Sequence, residues 1–231
     1  MKKFAILVFT GLILSVTVNL YSQECVFYSP VEKGTVLTYS SFDKKDKLTG
    51  TATQTVIDNY VKEGTQVVKL RNEYQGVDMD SAFVREFEMK CRDGKYYVDM
   101  ESYIGEGTLT PYSNMETTVE VDNMTIPAEP KVGEALDNGR VTITVSNNDM
   151  KIMTISVNIS NRKVEAKEDI TTQAGTFECY KLSYDISTKM LITIKASTVE
   201  WYAKNIGIIR SESYNKKGKL TGYTVLTELK K

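Results

Sequence analysis

The chain has 231 residues with 29 basic and 30 acidic side chains and no histidine at all. A formal net charge of −1 offers no basic surplus to attract phosphate backbones, which argues against nucleic acid binding. Without imidazole there are no Ser-His-Asp triads, HExxH zinc sites or facial-triad iron sites, and an enzyme would have to use carboxylates, lysine, tyrosine or a thiol.

The chain begins Met1-Lys2-Lys3 and then runs apolar from Phe4 to about Val18, closing at Asn19, Tyr21, Ser22 and Gln23. Two lysines, a short apolar run and a small residue predict a secretory signal peptide over residues 1–22, cut after Ser22. The run is too short for a membrane anchor, which needs about 20 apolar residues. Cys25 follows it closely, but Glu24 stands where a lipid-attachment motif needs a small residue. Removing the leader takes two lysines and no acids, leaving a net charge of about −3 on residues 23–231. No later stretch is apolar enough to cross a bilayer. The expectation is an exported, soluble protein of periplasm or extracellular space, with no transmembrane span once the leader is gone.

Residues 23–231 read as a single antiparallel β domain. Segments rich in Val, Ile, Thr, Tyr and Phe predict strands near 35–42, 50–60, 65–74, 81–91, 95–101 and 115–121. Phe83 and Phe87 are spaced as on a helix, yet Phe83, Phe87, Met89 and Cys91 also fit one strand face, and the flanking strands favour the latter. Residues 122–139 are the longest irregular stretch, with two of the four prolines and two glycines. It reads as a connection between the two halves, with room for a short helix at about 131–136, and as a natural cover for a concave sheet. Residues 140–160 read as a hairpin: Val141, Ile143 and Val145 alternate with threonines, and Met153, Ile155, Val157 and Ile159 alternate with polar residues. Further strands fall near 162–169, 176–186, 190–203, 206–214 and 220–229, separated by turns such as QAG and KKG. The fold class is therefore all-β: one large, strongly curved antiparallel meander, a half-barrel, with little or no helix beyond the leader.

SFDKKDKLTG (41–50) returns as SYNKKGKLTG (213–222). In the second copy Asn215-Lys216-Lys217-Gly218 fits a type I turn ending in a left-handed residue, and Asp46 replaces that glycine in the first. Each is a hairpin tip with solvated lysines, one turn used twice. A binding site made from both tips is the rival reading.

Few residues suggest chemistry. Asp78 and Asp80 could pair on a metal but read as a solvated turn, and Glu165, Glu168 and Asp169 as a polar strand face. Ser183 lacks a GxSxG context and no glycine-rich phosphate loop occurs. Trp201, the single tryptophan, is either the core anchor of its strand or part of a cavity lining. The three cysteines, Cys25, Cys91 and Cys179, predict one disulfide and one odd thiol, and spacing leaves all three pairings open. The expectation is a protein without catalytic residues, metal site or cofactor.

Four segments together carry a resemblance: CVFYSPVEKGTVLTYSSFDKKDKLTG, NRKVEAKEDITTQAGTFECYKLSYD, STVEWYAKNIGIIRSESYNKKGKLTGY and IPAEPKVGEAL. The chain resembles the TapB-like family of exported bacterial proteins of unknown function, related to a larger domain-of-unknown-function group. Where members usually carry Thr-Pro-Ala-Gly-Thr-Phe, this chain has Thr172-Gln173-Ala174-Gly175-Thr176-Phe177, a change confined to a turn. The resemblance implies a half-barrel similar in outline to periplasmic lipoprotein carriers, no established activity, and a Cys25–Cys91 disulfide that leaves Cys179 free. The function expected is a binding or carrier module for an apolar ligand, such as an acyl chain, lipid or peptide, in the concave face. The alternative is a structural or interaction domain contacting another envelope protein.

Overall fold

The computed structural model describes residues 25–104, 112, 114–148 and 150–231, so the leader expected over 1–22 lies outside the described residues. Its strands are β1 (Val36–Asp43), β2 (Leu48–Lys62), β3 (Thr65–Gly76), β4 (Phe83–Arg92), β5 (Lys95–Val98), β6 (Glu116–Asp122) and β7 (Met124–Pro127). They continue with β8 (Gly139–Asn147), β9 (Met150–Thr172), β10 (Gly175–Lys189), β11 (Thr193–Ala203), β12 (Gly207–Asn215) and β13 (Leu220–Lys230). A 3-10 turn, Met100–Tyr103, follows β5.

All of these strands join one 13-stranded sheet in the order β6-β8-β9-β10-β11-β12-β13-β1-β2-β3-β4-β5-β7. Two meanders, β8 to β13 and β1 to β5, meet at the pairing of β1 with β13, from Val36↔Lys230 to Asp43↔Gly222. β6 and β7 lie at opposite edges, yet only Asn123 separates them in sequence. One residue spans only about 3.5 Å, so the sheet must curl until its edges meet. It is nearly closed into a barrel, further than a half-barrel. Asn123 accepts the Met100 N–H at 3.1 Å through Oδ1, fastening the 3-10 turn to this seam.

The 122–139 connection is more ordered than its prolines and glycines suggest. Residues 124–127 form edge strand β7 against β5, where a terminal proline costs no ladder bond. No helix forms at 131–136. The first half of β9 pairs with β8 as far as Ile159, and its second half would then have bare backbone groups along that edge. The connection supplies them: Gly133 N–H donates to Val164 O, Val164 N–H to Glu134 O, and Leu136 N–H to Arg162 O, at 2.8 to 3.0 Å. β9 itself is one strand of 23 residues that carries a kink at Asn161, φ 55°, in place of two separate strands.

The interior is covered largely by the N-terminal segment. Phe27 and Tyr28 are buried in the main core, and Asn205 N–H donates to Phe27 O at 2.7 Å. Tyr28 meets Tyr96, Tyr180 and Tyr202 edge-on, with centroids 6.0 to 6.2 Å apart. Cys25 and Cys91 are joined in a disulfide with Cα atoms 5.8 Å apart, tying this segment to β4. Cys179 is a buried free thiol.

The two lysine tips have the same geometry and lie side by side, because β1 pairs with β13. Asp43 Oδ1 accepts from Lys45 and Lys47 N–H at 2.8 and 3.0 Å. Asn215 Oδ1 accepts from Lys217 and Lys219 N–H at 2.9 and 3.2 Å. Asp46 (φ 62°) and Gly218 (φ 69°) hold the left-handed position in each. The glycines closing the two copies allow close strand approach: a Cβ on Gly222 would lie 2.7 Å from Phe42 O, and one on Gly50 2.9 Å from Gln75 O.

Candidate binding cavity

Most inward positions are filled. On β8, β9 and β10, Val141, Ile143, Val145, Ile155, Val157, Ile159 and Leu182 pack into one cluster with Leu70, Tyr96 and Ile126. The other side of the barrel is not filled. There β1 to β5, β11, β12 and β13 line a partly open cavity of about 410 Å³, inside the usual range for small-molecule sites.

Its walls follow from strand register. Arg85, Phe87 and Met89 alternate inward along β4. Gln54 pairs with Asn72 and Asn72 with Arg85, which makes a polar row across β2, β3 and β4. Tyr39 pairs with Ala52, whose small side chain leaves space open. Tyr28, Tyr96, Tyr103 and Tyr202 supply aromatic walls, with Val98 and Ile208.

Glu200 is the polar centre of this wall and is only 7% exposed. Tyr202 donates to its Oε2 at 2.5 Å and Ser211 to its Oε1 at 3.2 Å. Burial pushes its pKa up, while hydrogen bonds from Tyr202, Tyr184 and Ser211 and the charge of Arg162 pull it back down. Arg162, 4% exposed, donates through Nη1 to Thr125 O at 3.0 Å and to Asp137 O. Burial also raises the pKa of Tyr28, Tyr39, Tyr96, Tyr103, Tyr184 and Tyr202. The phenols therefore stay protonated and act as hydrogen-bond donors. What the arrangement can do is hold a molecule with an apolar body and at least one polar group.

A shallower recess of about 340 Å³ lies beneath the two lysine tips, between Phe42, Thr49, Thr221 and Tyr223. It shares Ser211 and Thr224 with the cavity. Phe42 stacks on Tyr223 at 5.1 Å, and Tyr223 donates to Asp46 at 2.8 Å, so the tips are in contact.

The residues singled out by sequence lie elsewhere. Asp78 and Asp80 are exposed in the β3–β4 turn. Glu165 accepts from Ser183 at 2.7 Å and from Lys163 at 2.9 Å, and Glu168 accepts the Trp201 indole N–H at 2.7 Å. Among the described residues no group of three or more Cys, Asp and Glu is placed to hold a metal ion. Trp201 packs with Leu37, Cys179, Ala203, Ile209 and Leu226 in a second, smaller cluster and is not among the cavity's lining residues. There burial pushes the Cys179 thiol up to about 12, so it is a packing group and not a nucleophile. Glu200 was missed because Val199, Trp201 and Ala203 look like the buried face of β11, which assigns Glu200 to solvent. Both faces of β11 are in fact covered from Thr198 to Ala203.

The DUF3108-like family matches residues 32–226 of the chain. Two solved structures share the fold. A chain from Bacteroides fragilis, described as an exported protein with a YmcC-like fold, is 26% identical, with a TM-score of 0.71 over 90% of this chain and 100% of its own. A chain from Parabacteroides distasonis, described as a lipoprotein, is 27% identical, with a TM-score of 0.72 over the same shares. No curated protein matches the sequence.

Proposed function

The chain belongs to the DUF3108-like family, and from that premise we propose that it is an exported envelope protein that binds a small amphipathic molecule inside its barrel. The observation that carries this reading is the cavity of about 410 Å³, lined by tyrosines, Phe87 and Met89 around buried Glu200, beside a packed aliphatic core. An apolar body such as an acyl chain fits between Phe87, Met89, Val98 and Ile208. A polar end fits against Glu200 and Ser211 or against the Gln54–Asn72–Arg85 row. Export is supported by the leader-like residues 1–22 and by the descriptions of the two similar structures.

Extraction of natively purified protein with organic solvent, followed by mass spectrometry, tests the reading. A single compound in molar proportion to the protein is the expected result. An empty extract from protein never exposed to detergent counts against binding and favours an interaction domain in the envelope, to be pursued by crosslinking in cells.

A further inference from the structure

In an antiparallel sheet every second turn falls at the same end. The β8–β9, β10–β11, β12–β13, β1–β2 and β3–β4 connections therefore line up along one rim of the barrel, about two strand spacings or ~10 Å apart. Their chemistry is unlike that of ordinary turns. The β10–β11 tip is Met190-Leu191-Ile192, followed by Ile194, with Leu191 92% and Ile192 72% exposed. Met150 and Ile152 are exposed on the neighbouring tip. Three consecutive exposed apolar residues are avoided on a surface that only meets water, and the same sheet makes polar tips one and two turns away.

Those polar tips carry Lys44, Lys45 and Lys47 on one hairpin and Lys216, Lys217 and Lys219 on the other, all exposed. Among the described residues none of the six ammonium groups enters an ion pair. The acids beside them are occupied: Asp43 caps its turn through backbone N–H groups and Asp46 accepts from Tyr223. Lys189 and Lys195 flank the apolar tip. Asp78 and Asp80 sit at the far end of the rim, in the β3–β4 turn. The opposite end of the barrel is balanced: Lys62 adjoins Glu63, Arg92 pairs with Asp93, and Lys204 pairs with Glu129. Positive charge and exposed apolar side chains are concentrated at one rim of a chain whose net charge is −1.

We propose that this rim docks on an anionic phospholipid bilayer, with the 190–194 tip in the headgroup–acyl boundary and the lysine tips against headgroup phosphates. Apolar side chains at an interface sink about 5–10 Å into the headgroup–acyl boundary, and lysines near the surface add attraction that salt screens. The proposal does not depend on the cavity being filled.

Vesicle co-sedimentation tests it, using the chain from Gln23 onward, which contains every described residue. Phosphatidylcholine vesicles with about one third phosphatidylglycerol should bind the protein at low salt, and vesicles of phosphatidylcholine alone should bind it far less. Leu191→Ser with Ile192→Ser should weaken binding roughly tenfold, as should glutamine at Lys44, Lys45 and Lys47, whereas Lys62→Gln at the opposite end should leave it unchanged. The substituted side chains are exposed, so the melting temperature should not move. No binding to the anionic vesicles, or binding that survives loss of the apolar tip, overturns the proposal. So does an equal loss on Lys62→Gln.

Discussion

The barrel wall built from β8, β9 and β10 and the wall built from β1 to β4 with β12 use the same period-two pattern and end in opposite states. Inward positions of the first are branched aliphatics, Val141, Ile143, Ile155, Val157 and Ile159, and they interlock to form a packed interior. Lining positions of the second mix large groups, Tyr39, Phe87 and Met89, with short or polar ones, Ala52, Gln54, Asn72, Arg85 and Ser211, and they leave a cavity. The lesson is that strand alternation specifies a buried face, whereas the size and polarity of the buried side chains specify whether that face is filled. Glu200 and Arg162 are kept inside at a desolvation cost, offset by the hydrogen bonds that each makes.

The contrast between the two walls can be broken in order of effect. Truncation in the filled wall, Leu182→Ala, should cost about 2–5 kcal/mol in denaturant unfolding, because its neighbours cannot collapse into the space. Ala52→Leu in the hollow wall should cost close to nothing or stabilise, because room already exists. Equal losses would contradict the division. Removing the Cys25–Cys91 link with paired serines should cost about 2–5 kcal/mol as well and free Phe27 and Tyr28 from the interior. Peptide mapping without reductant should show that link and a free Cys179.

A smaller loss, about 1–3 kcal/mol, is expected for Gly222→Ala, whose Cβ would press on Phe42 O at the seam between the first and last strands. Glu200 gives the mildest and most diagnostic change. Its pKa is raised in the folded state, so its contribution to stability is intact below the ordinary carboxylate range and lost as pH rises through the folded pKa. Glu200→Gln should remove that decline from a melting curve taken across pH. A decline of the same size in the variant would mean that other groups cause it.

How much of this was legible in the sequence depended on how local each feature is. The two lysine tips were readable to the residue, since Asp43, Asp46, Asn215 and Gly218 act within their own turns. So was the inward face of β4, with Phe87, Met89 and Cys91 in alternation. β7 was hidden because Pro127 and Pro130 mark a loop, although an edge strand of four residues tolerates a proline at its end. The extension of β9 through Asn161 was hidden because asparagine normally announces a turn. Closure of the barrel through Asn123 depends on which strands pair across the whole chain, and no local pattern encodes that. The buried Glu200 escaped for a related reason: burial of both faces of β11 comes from distant strands.

Ligand binding at the hollow wall is tested by comparing solvent extracts of wild-type protein and Ala52→Trp, both purified natively. Tryptophan at this position projects into the cavity and should leave the packed wall, and hence the melting temperature, nearly unchanged. A bound compound is expected in the wild type and should be lost from the variant. A compound retained by well-folded Ala52→Trp would place binding elsewhere on the molecule and rule out the hollow wall as the site.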